Sequence, residues 1–157
     1  MSGKKIIVGA LTILICSLVQ TVSSARPKAL AQEQPAKAPE IQSTTAEELK
    51  AKVTKNQPVT IIDVRASESF ADSQRKIKGA IHVKLRRLKY RLGFEPLKSV
   101  PHDTEVVTYC ACPNDEASIK AAQVLLDAGF KRVRFLKGGW REWQKQKGPI
   151  EALPKGL

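Results

Sequence analysis

The sequence predicts an α/β domain with a largely parallel sheet, on three observations. Short β-branched runs, "PVTIIDV", "EVVTY" and "RVRFL", recur along the chain. Amphipathic stretches of helical period separate them. Turn residues punctuate the joins, as at Asn56-Gln57-Pro58 and Gly129. Strands that alternate with helices pair in parallel through crossovers, and the crossovers put helices on the faces of the sheet.

The chain has 157 residues, enough for one domain with extensions. It opens on "MSGKK", a short positive segment, followed by the uncharged apolar run "IIVGALTILICSLV". "QTVSSA" then places small residues at Ser23 and Ala25. Residues 1–25 therefore read as a secretory signal, because the apolar run is short for a spanning helix. This predicts an extracytoplasmic protein, periplasmic or secreted. The alternative is an uncleaved N-terminal anchor, the one route by which the sequence predicts membrane contact. Ile15 before Cys16 is too bulky for a lipidation site. Residues 26–43 are rich in Pro, Ala, Gln and Lys and read as a linker, leaving 44–157 as the folded domain.

Within that domain Thr45 and Glu48 have the spacing of a capping box, with Leu49 and Val53 on one helical face. "PVTIIDV" reads as a buried strand, "ESFADSQRKI" as one helical turn or a loop, and "GAIHV" as a second short strand. Leu85, Leu88 and Leu92 stand at helical spacing among basic residues. Pro96 and Pro101 punctuate the path to the strand "EVVTY". "EASIKAAQVLLDAG" is a helix ended by Gly129, "RVRFL" a strand, "KGG" a turn and "WREWQKQK" a final helix. No internal repeat is visible.

Lys and Arg number 27 against 15 Asp and Glu, a formal net charge of +12, which biases the chain toward anionic partners. Aromatic residues are only 5%, and none interleave with the basic stretches, so nucleic-acid binding is not expected. Signal cleavage would leave Cys110 and Cys112 as the only cysteines, too few for a structural disulfide framework. A bridge between residues so close is expected to be strained, and such bridges are the reducible, functional kind. Cys110 ends an apolar strand just before a loop and a helix start. Helix N-termini offer free N–H donors and partial positive charge, which favour a thiolate. The plainer alternative is a buried strand-end cysteine. His82 and His102 have no metal-ligand spacing to the cysteines. No phosphate loop, dinucleotide fingerprint or Ser-His-Asp arrangement is readable, so neither a metal nor a cofactor is expected.

"DVR" at Asp63 to Arg65, "GAIHV" at Gly79 to Val83 and "LKGGW" at Leu136 to Trp140 occur in order around the cysteines. Together they resemble a rhodanese-like domain across roughly residues 45–153. The resemblance implies a small doubly wound fold with a central parallel sheet; a monomer without a cofactor is expected. It also implies that a cysteine takes a sulfane sulfur from a small anion such as thiosulfate, becomes a persulfide, and passes the sulfur to a thiol acceptor. Cys110 would be the nucleophile, cradled by Ala111, Pro113, Asn114, Asp115 and Glu116, while Asp63 and Arg65 pair to orient the loop.

Three departures qualify the match. The loop "ACPNDEAS" lacks the glycine and the basic residue usual in sulfurtransferase members, and it carries two acids. Asn114 as N-cap, with Asp115 and Glu116 in the first turn, would account for those acids. The register is also ambiguous: counted from the strand Cys110 is the nucleophile, but counted back from Ser118 it is Cys112. The expectation favours Cys110, with Cys112 as a second thiol able to resolve a persulfide. Finally, Arg75, Lys76 and Lys78, with Lys84, Arg86, Arg87, Lys89 and Arg91, form a basic surface. It is either a solvated face or a lure for anionic donors. Two rival functions stay open: a non-catalytic module that binds a protein partner or an anion, and a thiol redox protein cycling Cys110 and Cys112. A phosphatase-like use of the loop is disfavoured for want of an arginine.

Overall fold

The computed structural model describes residues 40–153. The expected signal and most of the expected linker lie outside the described residues. The sheet is built where the sequence is most continuously apolar. Strands β2 (Thr60–Asp63), β5 (Glu105–Tyr109) and β6 (Arg132–Leu136) lie side by side in parallel, flanked by β1 (Gln42–Thr44) beyond β6 and β4 (Ile81–His82) beyond β2. The spatial order β1-β6-β5-β2-β4 is all parallel. A separate antiparallel pair joins β3 (Arg75–Ile77) to β7 (Ile150–Ala152).

Successive strand residues point to opposite faces, so each central strand feeds two cores. Ile62, Val64, Val106 and Val133 face one core, with Leu88 of α3 (Leu85–Arg91) and Ala121, Ala122 and Leu125 of α4 (Glu116–Asp127). Ile61, Val107, Tyr109 and Leu136 face the other, with Leu49 of α1 (Ala46–Thr54) and Trp140 and Trp143 of α5 (Gly139–Lys145). Helix α2 (Ser67–Ser73) follows β2 and has no buried residue of its own. Helices thus cover both faces, as the doubly wound fold requires. The two tryptophans are core residues, and the Trp143 indole N–H is satisfied by the Pro149 carbonyl at 3.1 Å.

Local signals hold where they are self-contained. The Glu48 N–H donates to Thr45 Oγ1 at 3.2 Å, and Glu48 Oε2 accepts from the Thr45 N–H at 3.0 Å, so the capping box starts α1. Two expectations are corrected. Gln42 and Ser43, assigned to the linker, belong to β1 and pair with Arg134 and Phe135. Asn114 is not the N-cap of α4: Asp115 precedes the helix in a left-handed conformation, φ +55°, and its side chain caps nothing. Only Glu116 of the two acids enters the first turn.

Candidate active site

The chain leaves β2 toward β4 on one side, while β5 and β6 extend on the other. Loops after β2 and β5 therefore diverge, and such switch points form crevices at the carboxyl ends of parallel strands. Cys110 directly follows β5 at this point.

Beneath the crevice lies a buried ion pair. Asp63 and Arg65 have fully buried side chains, with Arg65 Nη2 2.7 Å from Asp63 Oδ2 and Arg65 Nε 3.0 Å from both carboxylate oxygens. The rest of the guanidinium donates to Ser73 Oγ and the Arg75 carbonyl, both at 2.8 Å. The Tyr109 hydroxyl, at the end of β5, donates to Asp63 Oδ2 at 2.6 Å and accepts from the Ile77 N–H. Burial works against an ionised Asp63. His82, Arg65 and the Tyr109 hydroxyl outweigh it and hold the carboxyl below the ordinary carboxylate range. Of these, His82 Nδ1 stands 3.8 Å from Asp63, beyond hydrogen-bonding distance, so Arg65 and Tyr109 supply the direct donors. Burial and then the Asp63 charge push the Tyr109 hydroxyl far above its usual range, so it stays a donor. The expected Asp63–Arg65 pair is present, and it clamps β2 to β5 immediately below the cysteine loop.

Above the clamp, the loop is pinned from the β6–α5 turn. The Trp140 N–H donates to the Cys110 carbonyl at 2.8 Å, and Arg65 lies over the Trp140 ring at 4.5 Å. Gly138 and Gly139 both have positive φ, and a Cβ on Gly139 would run into the Cys110 carbonyl. This explains "KGG" physically: the turn must approach the strand end more closely than a side chain allows. Asp115 Oδ2 accepts from the Gly138 N–H at 2.8 Å, so this loop carboxylate is turned into the β6–α5 turn.

The two cysteines differ sharply in setting. Cys110 is 1% exposed and packs in the core, with its Sγ 3.7 Å from Ser118 Oγ. Cys112 is only partly buried, and its Sγ accepts from the Ala117 N–H of α4 at 3.5 Å. The two sulfurs are joined as a disulfide, with Cα atoms 5.7 Å apart. Of the expected cradle, Ala111 packs against the second core, Pro113 and Asn114 are exposed, and Asp115 and Glu116 lead into α4. The donor that reaches a cysteine sulfur is the Ala117 N–H. Sequence reasoning missed Ala117, Tyr109 and the backbone of Trp140. For Tyr109 a signal existed: a buried Asp-x-Arg pair needs further donors, and a tyrosine ends the adjacent strand.

A cavity of about 490 Å³ opens beside Ala117, lined among others by Val64, Arg65, Lys84, Leu85 and Arg86 and by one acid, Glu68. It supplies cations that the loop itself lacks. On the loop's other side, a cavity of about 480 Å³ is lined by Glu47, Pro113, Asp115, Lys137 and Glu142 and is more acidic. Elsewhere in the basic run, Lys76 pairs with Glu151 at 2.9 Å. Among the described residues no group of three His, Cys, Asp or Glu side chains could hold a metal ion.

Comparison with known proteins agrees with this fold. The family model described as "Rhodanese-like domain" matches residues 45–146. A sulfurtransferase of Allochromatium vinosum is 28% identical over 111 residues, covering 71% of this chain and 94% of that protein. The Escherichia coli thiosulfate sulfurtransferase YnjE is 40% identical over 52 residues, which span 33% of this chain but only 12% of that protein. Among solved structures, the Alr3790 protein from Anabaena superposes with a TM-score of 0.60 at 29% identity, covering 70% of this chain and 92% of that one.

Proposed function

This chain belongs to the rhodanese-like domain family, and from that premise we propose that it is a sulfurtransferase working through a cysteine persulfide. The observation that carries the reading is the Ala117 N–H aimed at Cys112 Sγ, beside a cavity lined by Lys84 and Arg86. An N–H at a helix start stabilises a sulfur anion, and the cations favour a small anionic donor near it. With the cysteines reduced, the Cys112 thiolate attacks the outer sulfur of a donor such as thiosulfate. The sulfur–sulfur bond of the donor breaks, sulfite leaves with its electron pair, and Cys112 carries the persulfide. A thiol acceptor then takes the terminal sulfur and regenerates the thiolate.

Strand counting favours Cys110 for the attack, and exposure favours Cys112. We assign the attack to Cys112, the alternative to the Cys110 expected from sequence, because an external donor must reach the sulfur it loads. The basic N-terminal segment and the apolar run after it support action outside the cytoplasm. Intact mass of the reduced chain after incubation with thiosulfate tests the reading, with Cys110→Ser and Cys112→Ser alongside. Gain of one sulfur atom is expected in Cys110→Ser, where no second thiol can remove it, and none in Cys112→Ser. No gain in Cys110→Ser with any sulfane donor would sink it and leave a binding module.

A further inference from the structure

We propose that Cys110 discharges the sulfur loaded on Cys112 as hydrogen sulfide, so that the site acts as a sulfane reductase regenerated by a dithiol reductant. This step rests on the loading proposed above and adds a second half-reaction to it.

The pair is built for it. One residue separates the cysteines, their Cα atoms are 5.7 Å apart, and their sulfurs meet in the structure. Cys110 is therefore within bonding reach of the sulfur that carries any persulfide. Burial divides the labour: Cys110 is 1% exposed and closed to an external donor, whereas Cys112 reaches the surface. A sulfur loaded from outside sits on the outer side of Cys112, and Cys110 approaches from the inner side. Attack and departure thus fall on opposite sides of Cys112, as thiol exchange at sulfur requires.

Ser118 defines the proton's place. Its hydroxyl donates to the Asp115 carbonyl at 2.8 Å, so Oγ faces Cys110 Sγ at 3.7 Å as an acceptor. In the reduced chain the Cys110 thiol donates to that oxygen at rest, and it passes its proton to the terminal sulfur as it attacks, because the thiolate is the nucleophile. In the step itself, the bond between Cys112 Sγ and the terminal sulfur breaks as the Cys110–Cys112 disulfide forms. The terminal sulfur leaves with the bonding pair and takes up the Cys110 proton as HS⁻. The sulfane sulfur is reduced by two electrons and the two cysteines are oxidised by two. A dithiol then restores both thiols and becomes a disulfide.

Competition favours this route over transfer to a monothiol. Well-oriented intramolecular groups reach effective concentrations on the order of 10⁵ M, whereas a dissolved thiol acceptor works at its bulk concentration. The persulfide is consequently short-lived in the wild-type chain and long-lived without Cys110.

The test is a single turnover with the reduced, desalted full-length chain and thiosulfate, reading sulfite, sulfide and intact mass. The wild type is expected to release sulfite and sulfide in equal amounts and to end two hydrogens lighter, with both cysteines blocked to alkylation. Cys110→Ser is expected to release sulfite, retain the extra sulfur and produce no sulfide. Cys110→Ala, which puts no hydroxyl in the core, should behave alike. Added dithiol should restore repeated sulfide release by the wild type only. Sulfite release with a persulfide that persists on the wild type, and no sulfide, overturns the discharge step while leaving sulfur loading intact. Equal sulfide release from the wild type and both Cys110 variants also overturns it. Absence of sulfite from every form overturns loading and discharge together.

Discussion

Arg65→Met probes the clamp beneath the cysteine loop. The Arg65 guanidinium is fully buried and makes donor contacts to both Asp63 oxygens, Ser73 Oγ and the Arg75 carbonyl. Methionine roughly replaces the volume, so the loss is electrostatic: Asp63 keeps the Tyr109 hydroxyl and the Arg65 N–H but no cation. Stripping one partner from a buried ion pair costs about 3–5 kcal/mol, most of it the stranded charge. With a urea slope of about 1.5 kcal/mol per molar for a domain of this size, the unfolding midpoint should fall by about 2 M or more. The double variant Asp63→Asn with Arg65→Met removes the stranded charge as well. It should recover at least about 1 kcal/mol relative to Arg65→Met alone. Urea titrations followed by circular dichroism read all four corners of the cycle. A loss below about 1 kcal/mol in Arg65→Met, or a double variant as unstable as the sum of its singles, would refute the reasoning.

Three further outcomes follow from the same contacts. Gly139→Ala forces a Cβ into the Cys110 carbonyl at φ +49°; it should cost at least about 2 kcal/mol and slow sulfur loading roughly 10- to 100-fold, read by melting temperature and sulfite release. Because Asp63 has a lowered pKa in the folded chain, its contribution is complete above the unfolded carboxylate value near about pH 4 and is lost as pH falls through the folded value. Urea midpoints measured down the acid limb should drop more steeply for the wild type than for Asp63→Asn, and equal slopes would contradict this. Thr45→Ala removes the side-chain half of the α1 capping box and should cost about 1 kcal/mol with no change in thiol chemistry, read by denaturation alongside alkylation rates.

The elements that could be read from sequence are those whose cause is local or whose burial is two-sided. The runs "TIID", "EVVTY" and "RVRFL" became β2, β5 and β6 because central parallel strands are buried on both faces and therefore apolar throughout. The α1 cap was legible because both partners lie within four residues. In contrast, β1 is "QST", with no apolar residue, and it is a strand because β6 offers it an edge. Residues of β3 and β7 pair across more than seventy positions of sequence, a distance no local pattern reports. Asn114 has good capping chemistry, yet the Gly138 N–H draws in the Asp115 carboxylate, and Asp115 directly precedes the helix. The cysteine loop was locatable from its strand and helix. Which sulfur is buried and which meets the Ala117 N–H depends on how α4 docks on the sheet, and that is written in the packing of Ala121, Ala122 and Leu125.

Sulfite formed in the first turnover of thiosulfate bears most directly on sulfur loading at Cys112. The reduced wild-type chain should release about one sulfite per chain, and Cys112→Ser should release none. Sulfite release by Cys112→Ser equal to the wild type would contradict the account.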